Sequence, residues 1–239
     1  MQDDVVVIGA GLAGLQTARL LTRAGQRVRV LEARERVGGR TFSTQVDDAV
    51  FDLGGQWIGR SHRRLKALAA ELGLATYPQY TQGRRVMDVD GLVHTYAGTI
   101  PRLAPWKLLQ MQAAMTRLGR LVRTVDPRAP MAGRRAAELD SLSVEHIARR
   151  WLWSRAPRSL FGAAARMIFG AERSDVSLLY CLSYLQAGGG FEELIETKHG
   201  AQESKFVGGA QGLSLAIARE LGSRVETDSP VRAICQDDS

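Results

Sequence analysis

Apolar positions along the chain follow two regimes, one spaced for strands and one for helices. Val5 to Ile8 is a wholly apolar run bounded by Gly9. That pattern predicts a short strand buried on both faces of a parallel sheet. From Leu12 to Ala24 the spacing turns helical, with Leu12, Leu15, Ala18 and Leu21 on one side, and Gly25 supplies the stop. Val28, Val30 and Leu31 form a second strand-like run. Strand, helix and strand within about thirty residues make a βαβ unit.

Further along, Val50 to Leu53 reads as a third short strand and Arg63 to Leu72 as a helix closed by Gly73. Arg84 to Val89 and Leu92 to Tyr96 flank Asp90-Gly91, a strong hairpin signal. The middle of the chain is helical in pattern. Pro105 to Val125 carries Trp106, Leu109, Met111, Met115, Leu118 and Val122 along one stripe, and Asp126-Pro127 breaks it. Ser143 to Trp153 follows, with Ser143 as its N-cap; Arg158 to Phe169 and Asp175 to Gln186 are two more helices, ahead of Gly188-Gly189-Gly190. Lys205 to Val207, a helix from Leu213 to Leu221, and strand-like Val225 to Glu226 and Val231 to Ile234 return to α/β character. The chain thus reads as an α/β framework interrupted by a block of helices.

The turn after the first strand is Gly9-Ala10-Gly11-Leu12-Ala13-Gly14. A G-x-G-x-x-G alone is weak. Here it follows a strand, opens a helix, and is followed by Glu32 at the end of the second strand, the context of dinucleotide binding. Gly9 permits the tight turn, Gly11 lets a pyrophosphate approach the backbone, and Gly14 lets helix and strand pack closely. The helix start offers free N–H groups to phosphate, and Glu32 can accept from ribose hydroxyls. The chain then reads Ala33-Arg34-Glu35-Arg36-Val37-Gly38-Gly39-Arg40-Thr41. A nicotinamide site does not need this second glycine-arginine element, whereas a longer cofactor does, with Arg40 as a fixed planar donor to the pyrophosphate.

From Val5 through Thr41 the sequence resembles the extended FAD fingerprint of the flavin amine oxidases. Asp52-Leu53-Gly54-Gly55-Gln56-Trp57-Ile58-Gly59 resembles their second glycine element, which lies beside the isoalloxazine ring in that family. Gln202 to Gly209 resembles a segment of the monoamine and putrescine oxidase branch, and Ser229-Pro230-Val231 resembles the strand whose backbone contacts the adenine end of FAD. The resemblance implies FAD as cofactor. It implies a Rossmann-like FAD-binding parallel sheet built from residues 1–79 and 203–239, with a mainly helical substrate-domain segment at 80–202 and the C-terminal half of the family fold absent. The FAD-binding residues it implies are Gly9, Gly11, Gly14, Glu32, Ala33, Arg34, Gly39, Arg40, Thr41, Gly54, Gly55, Gln56, Trp57 and Val231. Gln186 is similar in position to a glutamine lining the substrate cavity of monoamine oxidases, or is an ordinary polar residue at a helix end. Ile168, Tyr180 and Tyr184 can line the same cavity, although aromatics spaced i and i+4 more often belong to a core.

The implied reaction is oxidation of a primary or secondary amine to an imine and then an aldehyde, with O2 reduced to hydrogen peroxide. The family's flavin-proximal lysine and aromatic pair have no counterpart in these residues, so no catalytic residue is assigned. The expectation is an oxidase portion inactive alone, completed by a C-terminal chain, or acting as a homo-oligomer. Two other readings compete. One is a desaturase or protoporphyrinogen-type flavoenzyme, which shares the first fingerprint but less clearly the segment from Lys205 to Gly209. The other is a non-catalytic FAD-binding fragment or subunit of a split oxidase.

Composition alters this picture little. The net charge of +7 comes from 32 basic and 25 acidic residues, and only Lys66, Lys107, Lys198 and Lys205 are lysines. The arginines are scattered and do not alternate with aromatics, so solvated helix faces are expected rather than a nucleic-acid stripe. Cys181, Cys235 and the four histidines show no metal-ligand spacing. No apolar run reaches membrane-spanning length. The acidic start running into Val5 is unlike a signal peptide, which makes the cytoplasm the default location.

Overall fold

A computed structural model of the chain describes residues 3–89, 91–97 and 103–236. In order, the elements are β1 (Val5–Ile8), α1 (Leu12–Arg23), β2 (Val28–Leu31), β3 (Ser43–Val46), β4 (Ala49–Asp52), β5 (Trp57–Ile58), α2 (Arg63–Glu71) and β6 (Thr76–Pro78). There follow β7 (Arg85–Val89), β8 (Leu92–Tyr96), α3 (Pro105–Val122), α4 (Ala136–Ser141), α5 (Val144–Trp151), α6 (Arg155–Phe169), α7 (Leu178–Ala187) and α8 (Phe191–Ile195). The last are β9 (Ser204–Phe206), α9 (Gly212–Leu221) and β10 (Val225–Glu226). Contacts divide the chain into two compact units, Met1–Gln79 with Glu203–Ser239, and Tyr80–Gln202.

The first unit is built on a parallel sheet of order β1-β2-β10. Val5 pairs with Val28 and Val7 with Val30, while Val225 pairs with Val30 from the other side. Helices α1 and α9 cover one face, burying Leu15, Ala18, Val28, Val30, Ile217 and Leu221 together. Val5 and Val7 pack toward that core, but Val6 and Ile8 are 49% and 55% exposed. The first strand is therefore not buried on both faces, because α1 and α9 cover one side only. A second small sheet, β5-β9-β6, is antiparallel and joins the two sequence segments of the unit. Its Ile58 and Phe206 meet Ala69, Ala210 and Leu213 in a separate cluster.

The expected strand at Val231–Ile234 does not form. Residues 227–236 carry no regular structure, and Ile234 is 77% exposed. After β10 the backbone N–H groups of Asp228 and Ser229 donate to Arg34 O and Glu32 O. Beyond that point no strand among the described residues accepts the chain's donors, and an unpaired strand gains nothing over coil.

In the second unit the hairpin β7–β8 pairs Val86 with Thr95 and Met87 with His94. Its turn places Gly91 N on Asp88 Oδ1 at 3.0 Å; Asp90 lies outside the described residues. The helices enclose a core that includes Leu118, Val122, Leu139, Val144, Ile147, Leu178, Leu182 and Leu185. Helix α3 buries Gln110, Ala114, Leu118 and Val122, leaving Trp106 and Leu109 exposed. Its buried face is thus rotated from the expected stripe. Ser143 caps α5, its side chain accepting from His146 N. Helix α6 starts three residues ahead of the expected Arg158, because Pro157 sits in the first turn, where a missing N–H costs nothing. Helix α7 starts later than expected, at the cap that Ser177 Oγ provides to Tyr180 N.

Helices α1, α2 and α9 are tied by charge. Buried Arg19 donates through Nη2 to Glu71 at 2.9 Å and through Nε to Glu220 at 2.6 Å. Exposed Arg23 bonds the same two carboxylates. Hydrogen bonds from Arg23 first, then Arg19, hold Glu71 below the ordinary value of 4.5. At Glu220 burial pushes upward, but the bonds from Arg19 and Arg23 outweigh it and leave the group lowered. A carboxylate whose pKa is depressed by folding stabilises the fold above its unfolded value and loses that contribution as pH falls through its folded value. Urea midpoints should therefore fall as the solution is acidified below about pH 4.5. Arg19→Met should lower the midpoint at neutral pH and flatten this acid-side dependence; an unchanged pH profile would show that the network does not couple to folding.

Candidate dinucleotide-binding site

The end of β1 and the start of α1 are held together by the absence of side chains. Gly9 takes φ +97°, and its N–H donates to Leu31 O at 2.8 Å. A Cβ built on Gly14 would fall on Gly9 O, so the helix approaches the strand end as closely as backbone allows. Gly11 is the extended N-cap of α1, with no side-chain cap and no acidic residue in the first turn. The first N–H groups of the helix are left for an anion, where the macrodipole also favours one. A Cβ on Gly11 would meet only Gly39 Cα, at 4.0 Å. The loop through Gly38 and Gly39 is pinned beside it by Gly38 N donating to Ala10 O at 2.8 Å. Arg36 steadies that loop, lying over the Phe42 ring and donating to Gly39 O.

Glu32 ends β2 with its side chain 6% exposed. Its Oε2 accepts from Ala10 N at 2.7 Å and its Oε1 from Arg34 N at 3.0 Å. Both bonds fix the carboxylate's plane. A carboxylate offers about four acceptor positions, so two remain for hydroxyl donors. The tail passes alongside through the Ser229 N to Glu32 O bond.

An open cavity of about 1000 Å³ lies over this turn, with Gly11, Gln16, Arg34, Gly39, Arg40 and Arg64 among its walls. Three arginines line it against one acidic residue, Glu71, which is already paired with Arg19 and Arg23. The residues fit a dinucleotide: a side-chain-free floor, an uncapped helix start, positive walls for a pyrophosphate and a fixed carboxylate for a ribose.

The sequence-predicted residues fall into three groups. Gly11, Arg34, Gly39, Arg40 and Thr41 line the cavity, and Gly9, Gly14 and Glu32 shape the turn beneath. Exposed Ala33 links Glu32 to Arg34. Gly54 and Gly55 brace the Arg40 loop from behind: Gly55 N donates to Arg40 O at 3.1 Å, and a Cβ on Gly54 would fall on that same oxygen. Gln56, Trp57 and Val231 are not among the cavity's walls.

Sequence reasoning missed a polar network under the same loop. Gln211, 7% exposed, donates to Val37 O at 2.8 Å and accepts from Ser43 N at 3.0 Å. Asp52 Oδ1 accepts from Ser43 Oγ at 2.6 Å and from Ala210 N at 2.9 Å. The one available signal was a glutamine between small residues just after Gly208-Gly209, at the start of an apolar helix.

The helical unit has its own apolar cavity of about 350 Å³, with Met111, Met115, Phe161, Met167, Phe191 and Ile195 among its walls. Arg85 and Glu196 also line it, 4.0 Å apart. Gln186, Ile168 and Tyr184 are not among these walls. Gln186 is exposed near the end of α7, Ile168 packs against the helical core, and Tyr184 meets Phe169 edge-on at 5.3 Å. Gln202 is not among the walls either, but its Nε2 lies 3.7 Å from Sδ of the wall residue Met167. Burial pushes the Cys181 thiol up to about 12, which makes it inert. Among the described residues no His, Cys, Asp and Glu side chains group to hold a metal, and no helix is long and apolar enough to cross a membrane.

Known proteins resemble the chain over nearly its whole length. The sequence profile described as flavin containing amine oxidoreductase matches residues 12–239. Putrescine oxidase of Kocuria rosea is 39% identical over 242 residues, covering 98% of this chain and 49% of its own. The human flavin-containing amine oxidase B is 34% identical, with 98% and 45% covered. The solved structure of cyclohexylamine oxidase from Brevibacterium oxydans superposes with a TM-score of 0.90 at 31% identity, covering 96% of this chain and 52% of that one. The chain thus spans about half the length of the curated relatives it matches. With its parallel sheet, its glycine turn and a family match reaching from the start of α1 to the last residue, the chain belongs to the flavin-containing amine oxidoreductases.

Proposed function

We propose that this chain is the FAD-binding and helical portion of an oxidase that converts a primary or secondary amine to an imine and then an aldehyde, passing electrons to O2 as hydrogen peroxide. The carrying observation is the cradle formed where Gly11 abuts Gly39 beneath Arg34, Arg40 and Arg64. A bound flavin supplies the two-electron acceptor for the amine's C–H bond, a chemistry that side chains alone lack.

The chain's own groups have binding and positioning roles. The α1 start and Arg40 receive the pyrophosphate, the helix with N–H donors and the arginine with a planar fork. Glu32, oriented by Ala10 N and Arg34 N, accepts from ribose. Gly54 and Gly55 fix the height of Arg40 over the cavity. In the helical unit, the methionine-rich cavity suits the hydrophobic body of an amine, methionine adapting to irregular shapes. Apolar surroundings also favour the neutral amine, the form that can be oxidised.

The relatives' extra length and the open face of β1 at Val6 and Ile8 support a further proposal: residues outside these 239 complete the active site, on the same or a complementing chain. Amine-dependent peroxide release should then require those residues. Turnover by the 239 residues alone would overturn this.

Two glycine substitutions separate binding from folding. Gly11→Ala places a Cβ in open space where phosphate must approach, so FAD affinity, followed by retained visible flavin absorbance, should fall about tenfold or more, as for loss of a charge-assisted hydrogen bond. Its melting temperature should stay near that of the parent protein. Gly14→Ala drives a methyl into Gly9 O and should cost about 3 kcal/mol of stability, seen in urea unfolding. Equal FAD retention by Gly11→Ala and the parent would place the cofactor elsewhere.

A further inference from the structure

Sharing no wall residue with either cavity described above, the helical unit holds a polar pocket of about 400 Å³ between α5, the first turns of α6 and Arg173. Its walls are Glu145, Arg149, Arg155, Arg158, Ser159 and Arg173. Leaving Arg155 aside, Arg149, Arg158 and Arg173 outnumber the single carboxylate of Glu145, and no apolar side chain is among the walls.

The cluster is built rather than loose. Glu145 accepts from Arg149 Nε at 2.7 Å through one oxygen and lies 3.0 Å from Arg173 Nε through the other. Both of its oxygens are therefore engaged, and the carboxylate serves to aim two arginines. Arg173 is further fixed by Nη1 donating to Arg158 O at 2.6 Å. Its guanidinium lies against Gly162, where a Cβ would come within 3.1 Å of Cζ. Glu145 and Arg173 are only 22% and 18% exposed. Arg158's own guanidinium has no carboxylate partner among the described residues, and the terminal nitrogens of Arg149 make no bond to them either. Arginines that outnumber carboxylates around one concave site raise its positive potential, which a polyanion would lower.

We propose that this pocket binds a small polyphosphate anion through its phosphate groups. Guanidinium forks match phosphate oxygens bidentately, and Ser159 adds a hydroxyl donor. The lack of apolar walls leaves nothing to grip a base or an acyl chain. This is a different site from the glycine cradle, and it does not rest on the oxidase reading.

The test is a calorimetric titration of inorganic pyrophosphate into the full chain at low salt, with Arg158→Ala, Arg158→Lys and Arg40→Ala alongside. Arg158→Ala should weaken pyrophosphate binding about tenfold, the scale of one charge-assisted bond. Arg158→Lys should restore part of that loss, because charge returns without the fork. Arg40→Ala, which alters the glycine cradle alone, should leave this binding event in place. Far-UV circular dichroism of each variant checks that an affinity change is not a folding change. Identical titrations for the parent and Arg158→Ala would overturn the proposal, as would loss of all binding in Arg40→Ala. Citrate binding as tightly as pyrophosphate would overturn the phosphate assignment.

Discussion

Close backbone approach at the start of α1 is the constraint on which the first unit depends. Helix and strand end meet where Gly14 passes over Gly9 O, and any side chain there would push α1 off the sheet. Because α1 carries Leu15 and Ala18 into the core and Arg19 into the charge network, that displacement would reach α2 and α9 as well. The same bare backbone leaves room above Gly11 and lets Gly39 come alongside. Packing and binding thus draw on one feature, the lack of a Cβ, in two different ways. At Gly14 a side chain is excluded by the protein's own atoms. At Gly11 it is excluded only if a ligand is to approach.

A second layer explains how segments far apart in sequence make one cradle. Gln211 lies 168 residues from Ser43 and 174 from Val37, yet bonds both. Asp52 links β4 to the loop before α9 through Ala210 N. Buried polar groups are costly unless satisfied, and satisfied networks fix one arrangement. These bonds locate the Gly38–Arg40 loop against α9, while the β5-β9-β6 sheet joins the same two segments by backbone pairing. The final segment therefore belongs to the α/β unit as much as the first does.

What was legible in the sequence follows the range of the interactions involved. The βαβ unit, the glycine turn and Glu32 could be read because each rests on residue types at fixed local spacing. Gln211 could not, since its partners are set by tertiary structure alone. Val6 and Ile8 show the limit of apolar patterning, which states what can be buried but not whether anything covers it. Val231 to Ile234 has strand composition but no strand among the described residues to pair with. The helix expected from Asp175 begins instead at Leu178. Asp175 N is taken by Glu172 O, and Leu178 N by Leu142 O, leaving Ser177 at the cap.

Arginine has at least three distinct uses here, and they account for much of the basic excess without a nucleic-acid surface. Arg19 and Arg23 neutralise Glu71 and Glu220 between helices. Arg34, Arg40 and Arg64 line the cavity over the glycine cradle with no carboxylate paired to them among the described residues. Arg149, Arg158 and Arg173 gather around a single Glu145. The ratio of cations to carboxylates separates these cases. Where it is one to one, the charges serve the fold. Where arginines outnumber carboxylates around a concave site, positive potential gathers that the fold itself does not use, and both such places are cavities large enough to admit an anion.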